Sequence, residues 1–421
     1  MASFLISGVA LLLYSGIKFY RSKIFYPSVI FSFMWGMACV MTTLILGGAF
    51  EHLYLADYYS FKYIDRYILW FTAISLFAFW FAHRVRPGNE VNLDFNLQFI
   101  DAVVDKYKWI MWLNFFGGIL RIILMINLVG FDSVMDYRVA ANNMMNTGFG
   151  TVGLIFRITS YIQMLANFYV AICGFKTGFE SLDLKKTLIL FILYAPTQMA
   201  TGGRLFILYF ILFFIGSFLL GRGVAMKFND RILLEKEEKK VLSIISIGFL
   251  TLVAIIAMAR AGNTVNHETE SAFAKFTYIS EGMLETEHYM RFDPPETHVP
   301  DYGKHLFTGK SFDHLQYRGY LQMTYMSSIV ISIMTPLYTS FGFYGSIFVW
   351  GAIAFILELI AIMCLRRLSI IRFFVFLTIL KIMYETVIAS PIPGNIPVYE
   401  LIILFMVFYK PIFGNIEHEH S

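Results

Sequence analysis

Apolar residues occur in eleven runs along the chain, each close to the length of a membrane-crossing helix. A helix needs about 20 predominantly apolar residues to cross the hydrocarbon core of a bilayer. The pattern therefore predicts an all-α, polytopic membrane protein with about 11 transmembrane helices. A tight helical hairpin is predicted where Thr201-Gly202-Gly203-Arg204 interrupts the longest apolar block. The runs cover residues 2–19, 26–48, 67–83, 109–129, 152–174, 187–200, 203–221, 241–259, 341–364, 371–388 and 399–412.

Composition supports this interpretation, since hydrophobic residues make up 58% of the 421 residues and charged residues only 15%. Soluble domains carry about 25% charged residues. The net charge of +4 is spread over short loops and does not indicate nucleic-acid binding. Cys39, Cys173 and Cys364 lie in or beside apolar runs, so neither a disulfide framework nor a redox site is expected. No cleavable signal peptide is expected, because no basic region precedes the first run.

Lysine and arginine residues are concentrated in every second loop between the runs. Basic loops face the cytoplasm, so the N-terminus is predicted outside and the C-terminus inside. This orientation divides the chain into three parts. Residues 1–259 form the first eight helices, residues 260–340 form one large outer loop, and residues 341–421 form the last three helices and a short cytoplasmic tail.

The large outer loop is acidic and contains several histidines. Phe273, Phe276, Ile279 and Met283 repeat at helical spacing, which predicts an amphipathic helix on the membrane surface. Residues 317–339 are apolar again. A full crossing there would invert the charge bias of the later loops, so this stretch is predicted to be re-entrant or interfacial and to pack on protein.

Other charged residues lie inside or beside the runs. Lys381 and Glu385 are spaced i,i+4 in the tenth run and are predicted to neutralise one another. Glu358, in the ninth run, has no partner close in sequence, and an intramembrane carboxylate of this kind is the main argument for a transporter. The mixed run of residues 235–240 is expected to be the solvated start of a cytoplasmic helix.

The positions of the arginines give the strongest functional indication. An arginine within hydrocarbon costs about 2.5–3.5 kcal/mol on insertion scales. Snorkelling toward the interface explains a single arginine near a helix end. It is a weaker explanation for several arginines near the same side of the membrane. The group predicts an anion site, and phosphate suits guanidinium best. On the predicted topology, five arginines lie near the outer side: Arg121, Arg138, Arg157, Arg204 and Arg260.

Candidate acid–base residues lie in the outer loop. His314, beside Asp313, is predicted to accept a proton near neutral pH. Glu281 and Glu285, on one face of the predicted helix, are alternative bases. The loop histidines show no close i,i+3 or i,i+4 spacing, so no metal site is expected.

Several short segments, in this order along the chain, resemble motifs of the Wzy-type O-antigen polymerases, which join oligosaccharide repeat units of bacterial envelopes. The resemblance covers roughly residues 110–365. The segments are Gly130-Phe131 through Asp136-Tyr137-Arg138, Thr201-Gly202-Gly203-Arg204, Arg260 at the end of its span, Tyr278-Ile279-Ser280-Glu281 with Gly303-Lys304-His305-Leu306-Phe307, and residues 336–345 before the ninth span.

The resemblance implies a C-type glycosyltransferase-like fold with a large, partly helical periplasmic loop, in the bacterial inner (plasma) membrane. The implied reaction is metal-independent and needs no cofactor. It would polymerise undecaprenyl-diphosphate-linked repeat units into O-antigen or a related surface polysaccharide at the periplasmic face. The expected partners are these lipid-linked glycans, the bilayer, a chain-length regulator and a flippase. Alternatives are an O-antigen ligase, a lipid-linked sugar flippase or secondary transporter, and a non-catalytic scaffold.

Roles follow for the candidate residues on this hypothesis. Guanidinium groups would stabilise the charge on the departing diphosphate, at about 3 kcal/mol for one such donor. Four loop tyrosines are expected to stack on sugar faces: Tyr289, Tyr302, Tyr317 and Tyr320. The catalytic candidates are His314, Glu281 and Arg204. The diphosphate and sugar ligands are expected to contact Arg121, Arg138, Arg157, Arg204, Arg260, Arg318 and Tyr137.

Overall fold

A computed structural model gives the fold of most of the apolar runs. It describes residues 1–46, 63–86, 91, 97–129, 151–199, 209–229, 235–248, 282–302, 332–387 and 396–408, with short gaps at 237, 246, 284–285, 288, 292 and 301. These residues are overwhelmingly helical, and no strand occurs among them. The prediction of an all-helical chain is therefore confirmed for the described residues.

Eleven α-helices are assigned within the described ranges. A π-helical turn at Ile211–Ile215 leads directly into the eighth. The helices are α1 (Ala2–Ser22), α2 (Pro27–Leu46), α3 (Ile64–Val85), α4 (Leu97–Tyr107), α5 (Trp109–Val129), α6 (Thr151–Phe179), α7 (Leu184–Met199), α8 (Gly216–Asn229), α9 (Met334–Arg366), α10 (Ile370–Glu385) and α11 (Ile396–Val407).

Six helical stretches of the described chain are long and apolar enough to cross a membrane. A shorter apolar stretch covers Ile211–Met226. Six such helices fit a polytopic membrane protein. The six stretches are Ala2–Ser22, Pro27–Leu44, Ile64–Val85, Ile100–Asn127, Val152–Phe179 and Met334–Arg366.

The helices group into two units. The first consists of Met1–Val91, Phe273–Arg367 and Thr378–Tyr399, and the second consists of Asn92–Ala272, Leu368–Leu377 and Glu400–Ser421. The sequence-based division, with an outer loop at 260–340, assigns residues to sides of the membrane and not to groups of contacting helices. It therefore stays a prediction.

In the first unit, α3 and α9 run side by side in the same direction. The Tyr67 hydroxyl donates to Ser346 Oγ at 2.8 Å near their N-terminal ends, and Trp350 Nε1 donates to Ser75 Oγ at 2.9 Å further along. Helix α2 runs in the opposite direction, since its first turn meets the C-terminal half of α9 through Ser28. These directions are the ones that alternating membrane crossings require of the second, third and ninth spans.

In the second unit, glycines allow α6 and α8 to approach closely. A Cβ atom at Gly174 would lie 2.4 Å from the carbonyl oxygen of Phe214, and one at Gly178 would lie 2.4 Å from that of Phe218. Across the same contact, a Cβ at Gly221 would lie 2.2 Å from the carbonyl oxygen of Phe175. Small residues four apart are typical of helix association in membranes, because van der Waals contact replaces the hydrophobic effect there.

A side chain of α5 bonds to the backbone of α7 just before a proline. Pro196 cannot donate a backbone hydrogen bond. The buried Asn114 donates from Nδ2 to the carbonyl oxygens of Leu193 and Tyr194, at 3.0 Å each. These bonds satisfy backbone acceptors beside the proline, as burial in an apolar environment demands.

Two predicted charge environments can be compared with the structure. The i,i+4 pair is present, since Lys381 Nζ lies 3.9 Å from Glu385 Oε1. The expectation of a solvated run at 235–240 is wrong for Glu238, whose side chain is 3% exposed and bonded to the fully buried guanidinium of Arg222. Glu238 also accepts the backbone N–H groups of Leu182 and Glu235, at 3.2 and 3.0 Å. Burial is possible because every one of these donors compensates its lost hydration.

Candidate functional site

Residues 282–302 of the predicted outer loop lie against the N-terminal ends of α3 and α9. Glu287 fixes this segment to α3. Its fully buried carboxylate accepts the backbone N–H of Ile64 at 2.7 Å and that of Tyr63 at 3.1 Å. Arg291, one helical turn later, donates from Nε to the other oxygen of Glu287 at 2.9 Å. The carboxylate thus caps α3 and forms an ion pair with the guanidinium of Arg291.

A hydroxyl cluster makes a second attachment, to the start of α9. The Thr286 hydroxyl lies 2.9 Å from Thr335 Oγ1 and donates to the carbonyl oxygen of Gly282 at 2.8 Å. Ser332 Oγ donates to the same carbonyl at 3.2 Å. Thr286 and Ser332 are completely buried, and Thr335 is 5% exposed. The first turn of α9 is therefore enclosed by protein.

His298 forms the third attachment, and both of its ring nitrogens are engaged. Nδ1 lies 2.5 Å from Asp293 Oδ2, and Nε2 lies 3.1 Å from the carbonyl oxygen of Thr339. A carbonyl oxygen only accepts, so Nε2 must carry a proton. Nδ1 is occupied by its contact with the Asp293 carboxylate. In this arrangement His298 has no nitrogen with which to act as a general base.

Tyr338 completes this cluster. Its ring stacks on the imidazole of His298, with centroids 4.7 Å apart, and its hydroxyl donates to the carbonyl oxygen of Asp293 at 2.6 Å. Tyr289 packs edge-on against Tyr338 at 5.9 Å. Tyr289 was expected to stack on sugars, which stays a prediction, and in the structure its half-buried ring contributes to this packing.

A bend in α9 adjoins the cluster. Gly342 has φ 69° and ψ −175°, a backbone conformation that residues other than glycine rarely adopt. It separates the enclosed first turns, Met334 to Phe341, from the rest of α9. Beside the bend, Tyr302 is 82% exposed and Tyr344 is 69% exposed. Both side chains are therefore largely uncovered by the described part of the protein.

Two of the predicted arginines are described, and they lie in different environments. Arg121 is fully buried between α5 and α6. Its Nη2 donates to the carbonyl oxygen of Phe156 and to Ser160 Oγ at 2.6 Å, and its cation lies 4.8 Å from the Phe156 ring centroid. Arg157, the next residue after Phe156, is exposed on the surface of α6. The structure does not bring these two guanidinium groups into one cavity.

The other predicted site residues lie outside the described residues. They are Tyr137, Arg138, Arg204, Arg260, Glu281, His314 and Arg318. Within the described part of the chain, no group of three or more His, Cys, Asp or Glu side chains is placed to hold a metal ion.

Glu358 has partners that its sequence neighbourhood did not indicate. The fully buried carboxylate accepts the backbone N–H of Ser28 at 2.9 Å and the Ser28 hydroxyl at 2.6 Å. His83 Nε2 lies 2.7 Å from Glu358 Oε1, the oxygen that also accepts the Ser28 hydroxyl. These partners lie 330 and 275 residues away along the chain. Glu358 therefore joins α2, α3 and α9, and its carboxylate caps the first turn of α2.

His298, Asp293 and Glu287 were not singled out by sequence reasoning. One signal was present, because Asp293-Pro294-Pro295 predicts a turn, and this turn closes with the backbone N–H of His298 donating to the carbonyl oxygen of Pro294 at 2.9 Å. Comparison with known proteins gives no family: no protein-family model matches the chain, and no characterised protein or solved structure is significantly similar to it.

Proposed function

We propose that the protein is a membrane glycosyltransferase that joins undecaprenyl-diphosphate-linked oligosaccharide units at the outer face of the bacterial plasma membrane. The proposal includes eleven spans and a C-type glycosyltransferase-like fold, and it rests first on the resemblance to Wzy-type polymerases. The growing polymer on one lipid diphosphate would be the donor, and a single lipid-linked unit would be the acceptor.

The anchoring of residues 282–302 is the structural observation that supports this proposal most. A reaction between two lipid-linked substrates needs groups held rigidly at the membrane surface, because misplacement by about 1 Å can cost 10²-fold in rate. Three buried attachments, through Glu287, Thr286 and His298, hold this segment on the ends of α3 and α9 that the charge pattern places outside. The outer loop thereby has a fixed base from which its polar residues can act.

The proposed reaction is a displacement at the anomeric carbon of the donor. The acceptor hydroxyl oxygen forms a bond to this carbon, and the bond to the diphosphate oxygen breaks with its electron pair leaving on the diphosphate. Arg138, Arg204 and Arg260 stabilise the departing charge. The hydroxyl proton passes to His314 or Glu281. Arg318 and Tyr137 contact the substrates, and Tyr302 offers an exposed ring for a sugar face.

The two arginines of the predicted site that the structure describes, Arg121 and Arg157, have different roles in this proposal. Arg121 holds α5 against α6 and so positions the preceding and following loops. Arg157 is exposed and close in sequence to the N-terminal end of α6, which is predicted to be outside, so it supports substrate binding from the membrane interface.

The contacts of Glu358 bear on the transporter alternative. It depended on Glu358 as a proton-relay carboxylate without a partner. Glu358 instead contacts Ser28 and His83 and caps α2. These contacts give Glu358 a role in helix association, which does not require transport.

The test is chain extension by the purified protein. The protein in nanodiscs is incubated with a lipid-linked repeat unit, and products are separated on a gel. Lipid-linked glycans longer than one unit are expected from the wild type. Arg204→Gln is expected to abolish the ladder, whereas Arg66→Gln, an exposed arginine at the start of α3, matches the change in charge and should leave the ladder intact.

Failure of the wild-type protein to lengthen any lipid-linked glycan, while transferring one to an outer-membrane lipid core, would favour the ligase. A ladder that persists in Arg204→Gln would contradict the role of Arg204. A ladder lost equally in Arg66→Gln would show that the loss reflects general damage and would not support a phosphate site.

A further inference from the structure

A groove on the surface of the second unit lies between the N-terminal parts of α5 and α7, beside α6. Its volume is about 210 Å³. Most of its lining is apolar, and the exceptions are basic or aromatic. The side chains that define it are Lys108, Met111, Trp112, Lys186, Leu190 and Leu193.

The groove opens on an apolar face of the unit. Trp112 on α5 is 51% exposed, and Ile189 on α7 is 49% exposed. Ile192, one turn further along α7, is 58% exposed. In a membrane protein such a face is covered by lipid acyl chains, and a tryptophan near the end of a span is typical of the interface between acyl chains and headgroups.

Two lysines give the groove a positive end. Lys108 directly precedes α5 and Lys186 lies in the first turn of α7, and both are exposed. Neither ammonium group forms an ion pair with a carboxylate that the structure describes. Lys176 differs, because its ammonium group lies 2.7 Å from Asp101. The nearby Asp183 accepts the backbone N–H groups of Lys185 and Lys186, at 2.8 and 3.2 Å, and so caps α7.

We propose that this groove binds an anionic phospholipid of the cytoplasmic leaflet. One acyl chain lies along Trp112, Leu190 and Leu193, and the headgroup phosphate lies between Lys108 and Lys186. Charge complementarity selects the occupant, because a zwitterionic lipid carries no net charge to match two ammonium groups. The basic loops place this end of α5 and α7 in the cytoplasmic leaflet, where anionic lipids attract basic residues.

The experiment is native mass spectrometry of the full-length protein in a neutral detergent, titrated with phosphatidylglycerol or phosphatidylcholine. The wild type is expected to bind a first phosphatidylglycerol more tightly than phosphatidylcholine. The double variant Lys108→Gln/Lys186→Gln should weaken this first site roughly 25-fold, about fivefold for each lysine. The control Lys239→Gln/Lys240→Gln removes two exposed lysines outside the groove and should bind as the wild type does.

Equal affinity of the wild type for the two lipids would overturn the proposal, as would an unchanged first site in the groove variant. If the double variant fails to fold, the comparison of lipids on the wild type still decides. The site lies on the side predicted to be cytoplasmic, so its failure leaves the proposed glycosyl transfer untouched, and loss of glycosyl transfer leaves this binding unaffected.

Discussion

The carboxylate of Glu287 accepts the backbone N–H of Ile64 at 2.7 Å, across 223 residues of sequence. The bond connects the first residue of α3 to a segment of the large predicted loop. Two further described carboxylates have the same kind of environment. Glu238 and Glu358 are also buried, and each accepts backbone N–H groups and contacts a basic side chain. Buried carboxylates of this protein thus hold helix ends together.

Replacing Glu287 by glutamine should destabilise the protein. The amide keeps one acceptor oxygen but loses the charge that faces Arg291 and the N-terminal end of α3, so we expect a cost of about 1–3 kcal/mol. Thermal unfolding in detergent measures the change. Glu296→Gln, on an exposed residue of the same segment, is the control and should unfold as the wild type does. Equal melting temperatures for the two variants would contradict the capping role.

His298→Phe should loosen residues 282–302 without disturbing the ring stacking. Phenylalanine can still pack on Tyr338, but it donates neither to the Thr339 carbonyl nor to the partly exposed Asp293 carboxylate, and both acceptors lose this donor. We expect faster proteolytic cleavage within 282–302 and a loss of about 1–3 kcal/mol. Asp293→Asn should have a smaller additional effect in His298→Phe than in the wild type. Fully additive effects would show that the two side chains are not coupled.

Hydropathy located the helices well because the physical requirement is local. The described bounds of α1, α2 and α3 lie within three residues of the predicted runs 2–19, 26–48 and 67–83. The start of α9 differs more, because helical residues begin at Met334 where the run was predicted from 341. Residues 334–339 were assigned to the stretch 317–339, which was predicted to be re-entrant or interfacial and to pack on protein, and residues 332–340 are indeed buried.

The partners of the buried charges could not be predicted in the same way. Periodicity relates residues three or four apart, and it correctly paired Lys381 with Glu385. Glu358 and Ser28 are 330 residues apart, and only the packing of α2 against α9 brings them together. Glu238 was expected in solvent because its neighbours Lys239 and Lys240 are charged and are indeed exposed. Their exposure carries no information about the opposite face of the helix.

The buried pair of Arg222 and Glu238 should show asymmetric mutational effects. Arg222→Met leaves a buried carboxylate without its cation, and breaking such a pair costs about 3–5 kcal/mol. Arg222→Met/Glu238→Gln should recover part of this loss, because the amide oxygen can still accept one backbone N–H while no charge remains buried. Chemical unfolding of the protein, followed at Trp109 and Trp112 of the second unit, measures the stability of both variants. A double variant less stable than Arg222→Met would contradict this account.

Gly342→Ala should destabilise the protein through backbone conformation and not through steric overlap. A Cβ at this position would lie 3.4 Å from Pro300 Cγ and 3.8 Å from His298 Cδ2, which are ordinary contact distances. The φ of 69° with ψ of −175° is nevertheless essentially restricted to glycine, and other residues held in such regions cost about 1–3 kcal/mol.

Gly16→Ala is the matched control, since a Cβ there meets nothing within 4 Å and alanine favours a helix by up to about 1 kcal/mol. Thermal unfolding should therefore shift down for the first variant and stay level or rise for the second. Because the bend adjoins His298, Gly342→Ala should also increase cleavage within 282–302, and unchanged cleavage with unchanged stability would show that α9 does not need this bend.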